Sequence, residues 1–178
     1  MIRILQSVSN MDRGGIETML MNYYRHLDRD QFQFDFLVNK EKPGFFDDEV
    51  RSLGGRIFMG PGLSPLKYPE YLRYMKTLLD REKEIKVLHN EAMEFYALNG
   101  AKKAGFPVRI AHAHNTHLPR GLKLPVKLVC KAMIPGAATD YFACGREAGI
   151  YYFGEKRWNE SGVLIHNAID LERFGYRS

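Results

Sequence analysis

The sequence predicts an α/β fold, a doubly wound and mostly parallel sheet of Rossmann-like type. Three observations point to it. Short runs suited to β-strands alternate with stretches of helical periodicity along the chain. Gly and Pro punctuate the boundaries, at Pro43-Gly44, Gly54-Gly55, Gly60-Pro61-Gly62, Gly105-Phe106-Pro107 and Pro135-Gly136. The densest polar clusters follow directly on strand-like runs, at the carboxyl edge where open α/β sheets bind their ligands.

Taken in order, strands are expected near 2–8, 32–38, 56–59, 86–89, 108–113, 140–144 and 162–165. Between the first two, Ile16, Met19, Leu20, Tyr23, Tyr24 and Leu27 follow the spacing of an amphipathic helix. Tyr68, Leu72, Met75 and Leu79 repeat that spacing before the fourth strand. Further helices are expected over 46–53, 93–104, 125–134 and 146–153. Residues 1–166 then form one domain. The segment Asn167-Ala168-Ile169-Asp170-Leu171-Glu172-Arg173-Phe174 reads as a turn into another element, so 167–178 is expected to begin a linker to a partner domain outside this chain.

The bulk properties suit one globular core. The chain has 178 residues, 45% of them hydrophobic and 12% aromatic, enough for one packed domain and too few for two ordinary ones. Twenty-six Lys and Arg against 21 Asp and Glu give a net charge of +5, which favours anionic partners. There is no basic stripe interleaved with aromatics, so nucleic acid is not expected as a partner. Cys130 and Cys144 are the only cysteines, with no metal-like spacing, as suits reduced thiols in the cytoplasm. The apolar run at the start is too short for a signal peptide, and about 18 uninterrupted apolar residues occur nowhere.

After the first strand, Ser9-Asn10-Met11-Asp12-Arg13-Gly14-Gly15-Ile16-Glu17-Thr18 opens a helix. Gly14 and Gly15 let a ligand approach the backbone, and the helix amides beyond them favour phosphate. An ordinary glycine turn, with Glu17 well placed in the first helical turn, is the competing explanation. The loop is not the GxGxxG fingerprint, and no acidic residue clearly ends the second strand, which disfavours a nicotinamide-dependent oxidoreductase.

The fifth strand ends in Arg109-Ile110-Ala111-His112-Ala113-His114-Asn115-Thr116-His117, where three of the six histidines gather. Strand alternation sets His112 and His114 on one face. His114 is the candidate contact to a donor or acceptor hydroxyl, assisted by Asn115, whereas His112 reads as a hydrogen-bonded core residue. No Asp, Glu or Cys lies beside these histidines in sequence, so no metal is expected. His89-Asn90-Glu91 ends the neighbouring fourth strand, and its carboxylate could orient an acceptor hydroxyl or cap the following helix. Arg120, Lys123, Lys127 and Lys131 line a basic, amphipathic segment after the fifth strand. Such a helix can lie on an anionic bilayer, or it can be a solvated charged face over an ordinary buried one.

With those residues in place, the chain resembles glycosyltransferase family 4, especially the capsular and exopolysaccharide enzymes, along essentially its whole length. Four ordered motifs carry the resemblance. They are Arg13 to Thr18, Arg109 to Thr116, Ala143-Cys144-Gly145-Arg146-Glu147-Ala148-Gly149, and Ile165-His166-Asn167-Ala168-Ile169-Asp170 with Phe174. The resemblance implies a GT-B architecture, two Rossmann-like domains facing across a cleft, of which this chain would be the amino-terminal, acceptor-side one.

It also implies a retaining transfer from a nucleotide sugar to a glycan or lipid-linked acceptor, without a cofactor or metal, in the cytoplasm or on the inner face of the cell membrane. Gly14 and Gly15 would meet the donor diphosphate. His114 would position and support the transferred sugar, and Glu17, His89, Asn90, Glu91, Asn115 and Arg146 would be substrate contacts. Gly145 stands where the family usually has Ser, and Ala168 where it usually has Gly. The family's paired glutamates belong to the second domain, so the chain alone is expected to be inactive. A non-catalytic subunit of a split glycosyltransferase, binding acceptor or recruiting a donor-binding partner, is the alternative.

Overall fold

A computed structural model describes residues 1–40, 42–118, 121–122 and 124–167. Arg120, Lys123 and the expected linker from Ala168 onward lie outside the described residues. The elements in chain order are β1 (Ile2–Val8), α1 (Gly15–His26), β2 (Phe32–Val38), α2 (Asp47–Ser52), β3 (Ile57–Met59) and a single 3₁₀ turn (Pro65–Lys67). They continue as α3 (Tyr68–Arg81), β4 (Ile85–Asn90), α4 (Phe95–Ala104), β5 (Val108–Ala113), α5 (Leu124–Ala137), β6 (Asp140–Ala143), α6 (Arg146–Phe153), α7 (Glu155–Ser161) and β7 (Gly162–Leu164).

The seven strands form one sheet in the order β3-β2-β1-β4-β5-β6-β7, and every pairing is parallel. Parallel neighbours need crossovers, and the helices supply them, covering both faces. The order reverses between β1 and β4, and the connections diverging there open a crevice at the carboxyl ends of these strands. The expected doubly wound fold is the observed one.

Two apolar clusters sandwich the sheet. One joins Val8, Phe34, Phe36 and Val38 to Met19, Leu20 and Tyr24 of α1 and Val50 of α2. The other joins Leu5, Leu37, Leu88, Ala111 and Ala113 to α3, α4 and α6. Alternation along β5 explains the division, since Ala111 and Ala113 face the second cluster while His112 faces the other way. Small residues there let α4 and α5 sit close to the sheet.

Three details depart from the sequence reading. The buried stripe of α3 is Tyr71, Met75 and Leu78, so the helix is rotated slightly from the Tyr68, Leu72, Met75 and Leu79 stripe. Helix α7 went unforeseen because Trp158 is its only buried residue and its other side chains are polar. Trp158 also explains two glycines: a Cβ on Gly149 or Gly162 would stand 2.3 or 2.2 Å from the indole. Finally, α5 buries only Ile134 and Ala137, leaving Val126, Leu128, Val129 and Met133 about half exposed. The buried face weighed for this segment is thus represented by Ile134 and Ala137, with Leu124, Lys127, Cys130 and Lys131 partly buried.

Candidate active site

The site forms where β1, β4 and β5 end. Beyond β1 the chain turns through Asp12 to Gly14 into α1, whose N-cap is Gly14 and has no side-chain acceptor for the first-turn amides. The Glu17 carboxylate folds back toward Gly14 and accepts from its own backbone amide, while the helix dipole favours an anion at the rest of the turn. A Cβ on Gly15 would meet nothing within 4 Å, so packing alone does not demand glycine there. Ile16 and Glu17, in the same first turn, line a cavity of about 180 Å³ together with Val8, Ser9, Glu91, Ala92, Met93, His114, Asn115 and Tyr152. The glycine turn and His114 thus approach the same cavity from opposite sides of the switch point, with Gly14 and Gly15 flanking the lining.

His114 directly follows β5, and Glu91 directly follows β4. The Glu91 amide bonds to the Ser7 carbonyl at 3.0 Å, prolonging the β1–β4 ladder by one residue. That backbone bond fixes where the carboxylate points. Glu91 Oε2 lies 2.5 Å from His114 Nε2 and 3.0 Å from His112 Nδ1, and Oε1 lies 3.1 Å from His89 Nε2. The His89 and His112 rings stack, with centroids 5.2 Å apart, and Phe142 closes against both edge-on. The core role foreseen for His112 agrees with its burial.

Burial by itself would raise the carboxyl pKa of Glu91. The His89 ring and hydrogen bonds from His112 and His114 overcome that and hold Glu91 well below the usual range, so it is ionised. Burial holds His89 neutral, with its pKa down to about 4 despite the neighbouring Glu91. The absence of an acidic residue beside the histidines in sequence misled on one point. Glu91, 23 residues before His114, reaches them across the sheet. The ligand-capable atoms of His89, Glu91 and His112 all lie within 4.8 Å of one another, close enough to share a cation. Within the cluster His89 Nε2 is hydrogen-bonded to His112 Nδ1 at 3.1 Å and Glu91 Oε2 to His114, while Glu91 Oε1 and His112 Nε2 are buried without a hydrogen-bond partner.

Other expected contacts separate. Asn115 is exposed and lines the cavity, and Glu17 lines it with a pKa raised by burial against a backbone hydrogen bond. Asn90 is buried and does not line it; its amide donates to the Glu94 carbonyl at 2.7 Å and ties the loop to α4. His89 sits behind Glu91, outside the lining. Arg146 is exposed at the start of α6, with Glu155 at 3.7 Å and Asn159 at 3.3 Å, also outside the lining. Arg109, conspicuous in its motif, is structural: its guanidinium donates to the Ala137 and Phe106 carbonyls.

A second cavity of about 610 Å³ adjoins the first, sharing Ala92, Met93, Asn115 and Tyr152. Its walls are largely apolar, with Phe95, Tyr96, Leu118 and Val126, and Lys127 and Lys131 stand along α5. Met93 between the two cavities holds φ at 51°, a left-handed backbone that costs a side-chain-bearing residue of order 1–3 kcal/mol. Sequence reasoning missed Met93, Glu94 and Tyr152, because nothing in their local pattern distinguishes them from helix-flanking residues.

Burial pushes Glu94 in this second cavity up to about 7, Lys40 and Lys127 opposing. Its effect on stability runs against that of His89. Below about 6.5 the unfolded chain protonates His89 while the folded chain waits until about 4, so acidification across that window weakens the fold. Glu94 keeps its proton in the fold up to about 7 but loses it above 4.5 when unfolded, so the fold weakens as pH rises there. Between 4.5 and 6.5 the two slopes offset. Glu94→Gln should therefore unmask a loss of about 1.4 kcal/mol per pH unit on acidification from 6.5. Urea unfolding of both proteins across this range checks it, and parallel pH profiles would contradict it.

No protein-family model matches the chain. It is 37% identical over 179 residues to EpsF of Bacillus subtilis (strain 168), a protein named as a glycosyltransferase, covering 97% of this chain and 46% of EpsF. It is 31% identical over 93 residues to the capsular polysaccharide biosynthesis glycosyltransferase CapH of Staphylococcus aureus, covering 52% of this chain and 24% of CapH. Among solved structures it overlays Anabaena Alr3699/HepE in complex with UDP and glucose at a TM-score of 0.65. There the identity is 17%, over 97% of this chain and 46% of that one. It overlays Acinetobacter baumannii MurG at 0.64, with 10% identity over 96% and 46%.

The fold is that of a GT-B glycosyltransferase domain. The chain spans about half the length of EpsF and about a quarter of CapH. Its similarity to proteins named as glycosyltransferases, one of them in capsular polysaccharide biosynthesis, supports a transferase.

Proposed function

We propose that this chain is the acceptor-side half of a retaining, nucleotide-sugar-dependent glycosyltransferase of family 4 type, working in cell-surface polysaccharide synthesis. The observation that carries this reading is the convergence of the α1 first turn and His114 on one small cavity at the switch point, beside a larger apolar one. In this reading the diphosphate of the donor meets the amides after Gly14 and Gly15. The transferred sugar lies against His114, and the acceptor enters through the larger cavity. No metal takes part, and Glu91 serves the imidazoles. The relatives' greater length supports a donor-binding half beyond this one, so the 178-residue chain by itself should be inactive.

The test is transfer itself. The longest natural form of the protein, given radiolabelled nucleotide sugars and a polyprenyl-diphosphate sugar, should move label into organic-extractable material with the anomeric configuration retained. Absence of both transfer and nucleotide-sugar binding across a donor panel would reject the reading, and inverted product would reject its stereochemistry.

A membrane setting follows from α5. Leu122, Val126, Val129 and Met133 recur at helical spacing and are all exposed, with Lys127 and Lys131 alongside. Among the described residues no helix is long and apolar enough to cross a membrane. We place this face on the anionic inner leaflet of the cell membrane, with a lipid-linked acceptor rising from the bilayer into the larger cavity. The Lys131 ammonium lies 3.5 Å over the Tyr151 ring, so Lys127 is the freer of the two to meet headgroups. Sedimentation with phosphatidylglycerol vesicles should show binding that falls about tenfold or more in Lys127→Glu with Val129→Glu, at roughly 1 kcal/mol for each basic residue near an anionic surface plus lost apolar burial. Unchanged sedimentation would remove the membrane from the account.

A further inference from the structure

Glu91 holds its place for a reason that an acceptor contact does not explain. Its side chain borders the cavity but is 0% exposed and lies against three imidazoles. We propose that Glu91 is a positioning residue, which selects the tautomer and orientation of His114 so that Nδ1, not Nε2, serves the cavity. The inference rests on reading this cavity as the transfer site, though its structural core can be measured without any activity.

The reasoning is one of donors and acceptors. An ionised carboxylate has lone pairs and no hydrogen, so each ring nitrogen hydrogen-bonded to it must carry the proton. His114 Nε2, 2.5 Å from Oε2, is therefore the N–H of its ring. In a neutral imidazole the other nitrogen then has a bare lone pair. Nδ1 of His114 accepts from a ligand, and a sugar hydroxyl is the matching donor. Should the ring take up a proton, the carboxylate behind it balances the new charge, as a buried carboxylate does for a catalytic imidazole elsewhere.

The surroundings keep that arrangement from drifting. The backbone bond from Glu91 to Ser7 anchors the carboxylate to β1. His112 Nδ1 lies 3.0 Å from the same oxygen and is hydrogen-bonded to His89 Nε2 at 3.1 Å, and its ring lies 4.0 Å from that of His114 between centroids. His89 stacks on His112, and its Nε2 lies 3.1 Å from Glu91 Oε1. Such support, more than the exposed end of a side chain, keeps a reacting group within the narrow tolerance that catalysis needs.

Long-range ¹H–¹⁵N spectra of the ¹⁵N-histidine-labelled chain test this directly. Where the His114 ring is neutral, Nε2 should be protonated and Nδ1 of the unprotonated type. In Glu91→Gln the amide can present either oxygen or NH₂, so the preference should be lost while the amide fingerprint of the fold persists. In the longest natural form, Glu91→Gln should lower kcat by about 10²-fold and change KM for the nucleotide sugar less than threefold. Glu91→Asp, which keeps the charge, should recover part of the loss. An Nδ1–H tautomer in the unsubstituted protein would overturn the proposal whether or not any variant folds, and so would a kcat unchanged in Glu91→Gln. If the tautomer is as stated but no sugar is transferred by the natural form, the positioning holds and the transferase reading falls.

Discussion

Replacing His114 with Ala should lower kcat for sugar transfer by about 10²- to 10³-fold in the longest natural form of the protein. That is the usual loss when one preorganised hydrogen-bonding group is removed from the place where charge develops. Two features make the effect large here. The side chain is only 6% exposed, so the partner on its outer edge is whatever fills the cavity. Its inner edge is fixed to a charged carboxylate, so its geometry is set before a ligand arrives. The structural cost should be smaller, about 1–3 kcal/mol for one hydrogen bond to a charged group, since Glu91 keeps His89 and His112. A variant that folds and loses less than threefold in kcat would show that His114 does not touch the reacting sugar.

The second large effect concerns stability and lies away from the site. Asp35 on β2 is wholly buried, accepts from Arg3 Nε at 2.7 Å and Nη2 at 2.5 Å, and accepts from the Arg56 amide at 2.9 Å and Nη2 at 2.7 Å. Burial works against its charge, yet the two guanidinium groups win and hold its carboxyl below the usual range. Arg56 also reaches Glu82 at 2.6 Å, so the network ties β2 to the turn before β4. Asp35→Ala would leave the Arg3 charge buried without its counter-ion, at a cost of about 3–5 kcal/mol.

For a domain of this size that is roughly a 10 °C fall in Tm, a large share of a stability that is ordinarily 5–15 kcal/mol. Replacing both partners, Arg3→Met with Asp35→Leu, should recover most of the loss, because the pair as a whole is worth far less than half of it left alone. Thermal unfolding of the single and double variants decides. A single variant within 1 kcal/mol of the parent would mean that water reaches Arg3.

The fold was legible because parallel sheets write themselves into sequence twice, as apolar strand runs and as the helices that must connect them. That logic also foresaw the His89-Asn90-Glu91 triplet beside the histidine strand, since β4 and β5 lie side by side. What it could not supply was side-chain aim. Glu91 was read as orienting a hydroxyl or capping a helix, and the structure sets it in the cavity lining with its carboxylate against the histidines, an aim no strand pattern gives. Asn90, from the same triplet, went to the backbone of the next helix. A strand's periodicity gives the face of each residue, but the residues just past its end follow the loop, whose path depends on distant hydrogen bonds such as Glu91 to Ser7.

Helix α5 shows the opposite failure. Its sequence carries a clear amphipathic pattern, and the pattern led to two alternatives, a membrane face or a core face. Ile134 and Ala137 are its buried residues, so the core covers part of that apolar side and leaves Val126, Leu128, Val129 and Met133 exposed. Periodicity reports that a helix has an apolar side, and only the packing of its neighbours says whether the chain itself covers it.

A crystal structure of the longest natural form with a bound nucleotide sugar measures the central geometry most directly. The diphosphate should rest on the amides following Gly14 and Gly15, with a hydroxyl of the sugar within hydrogen-bonding distance of His114 Nδ1 and Glu91 still bonded to Nε2. A donor seated at the amino ends of the strands, or held wholly apart from His114, would contradict it.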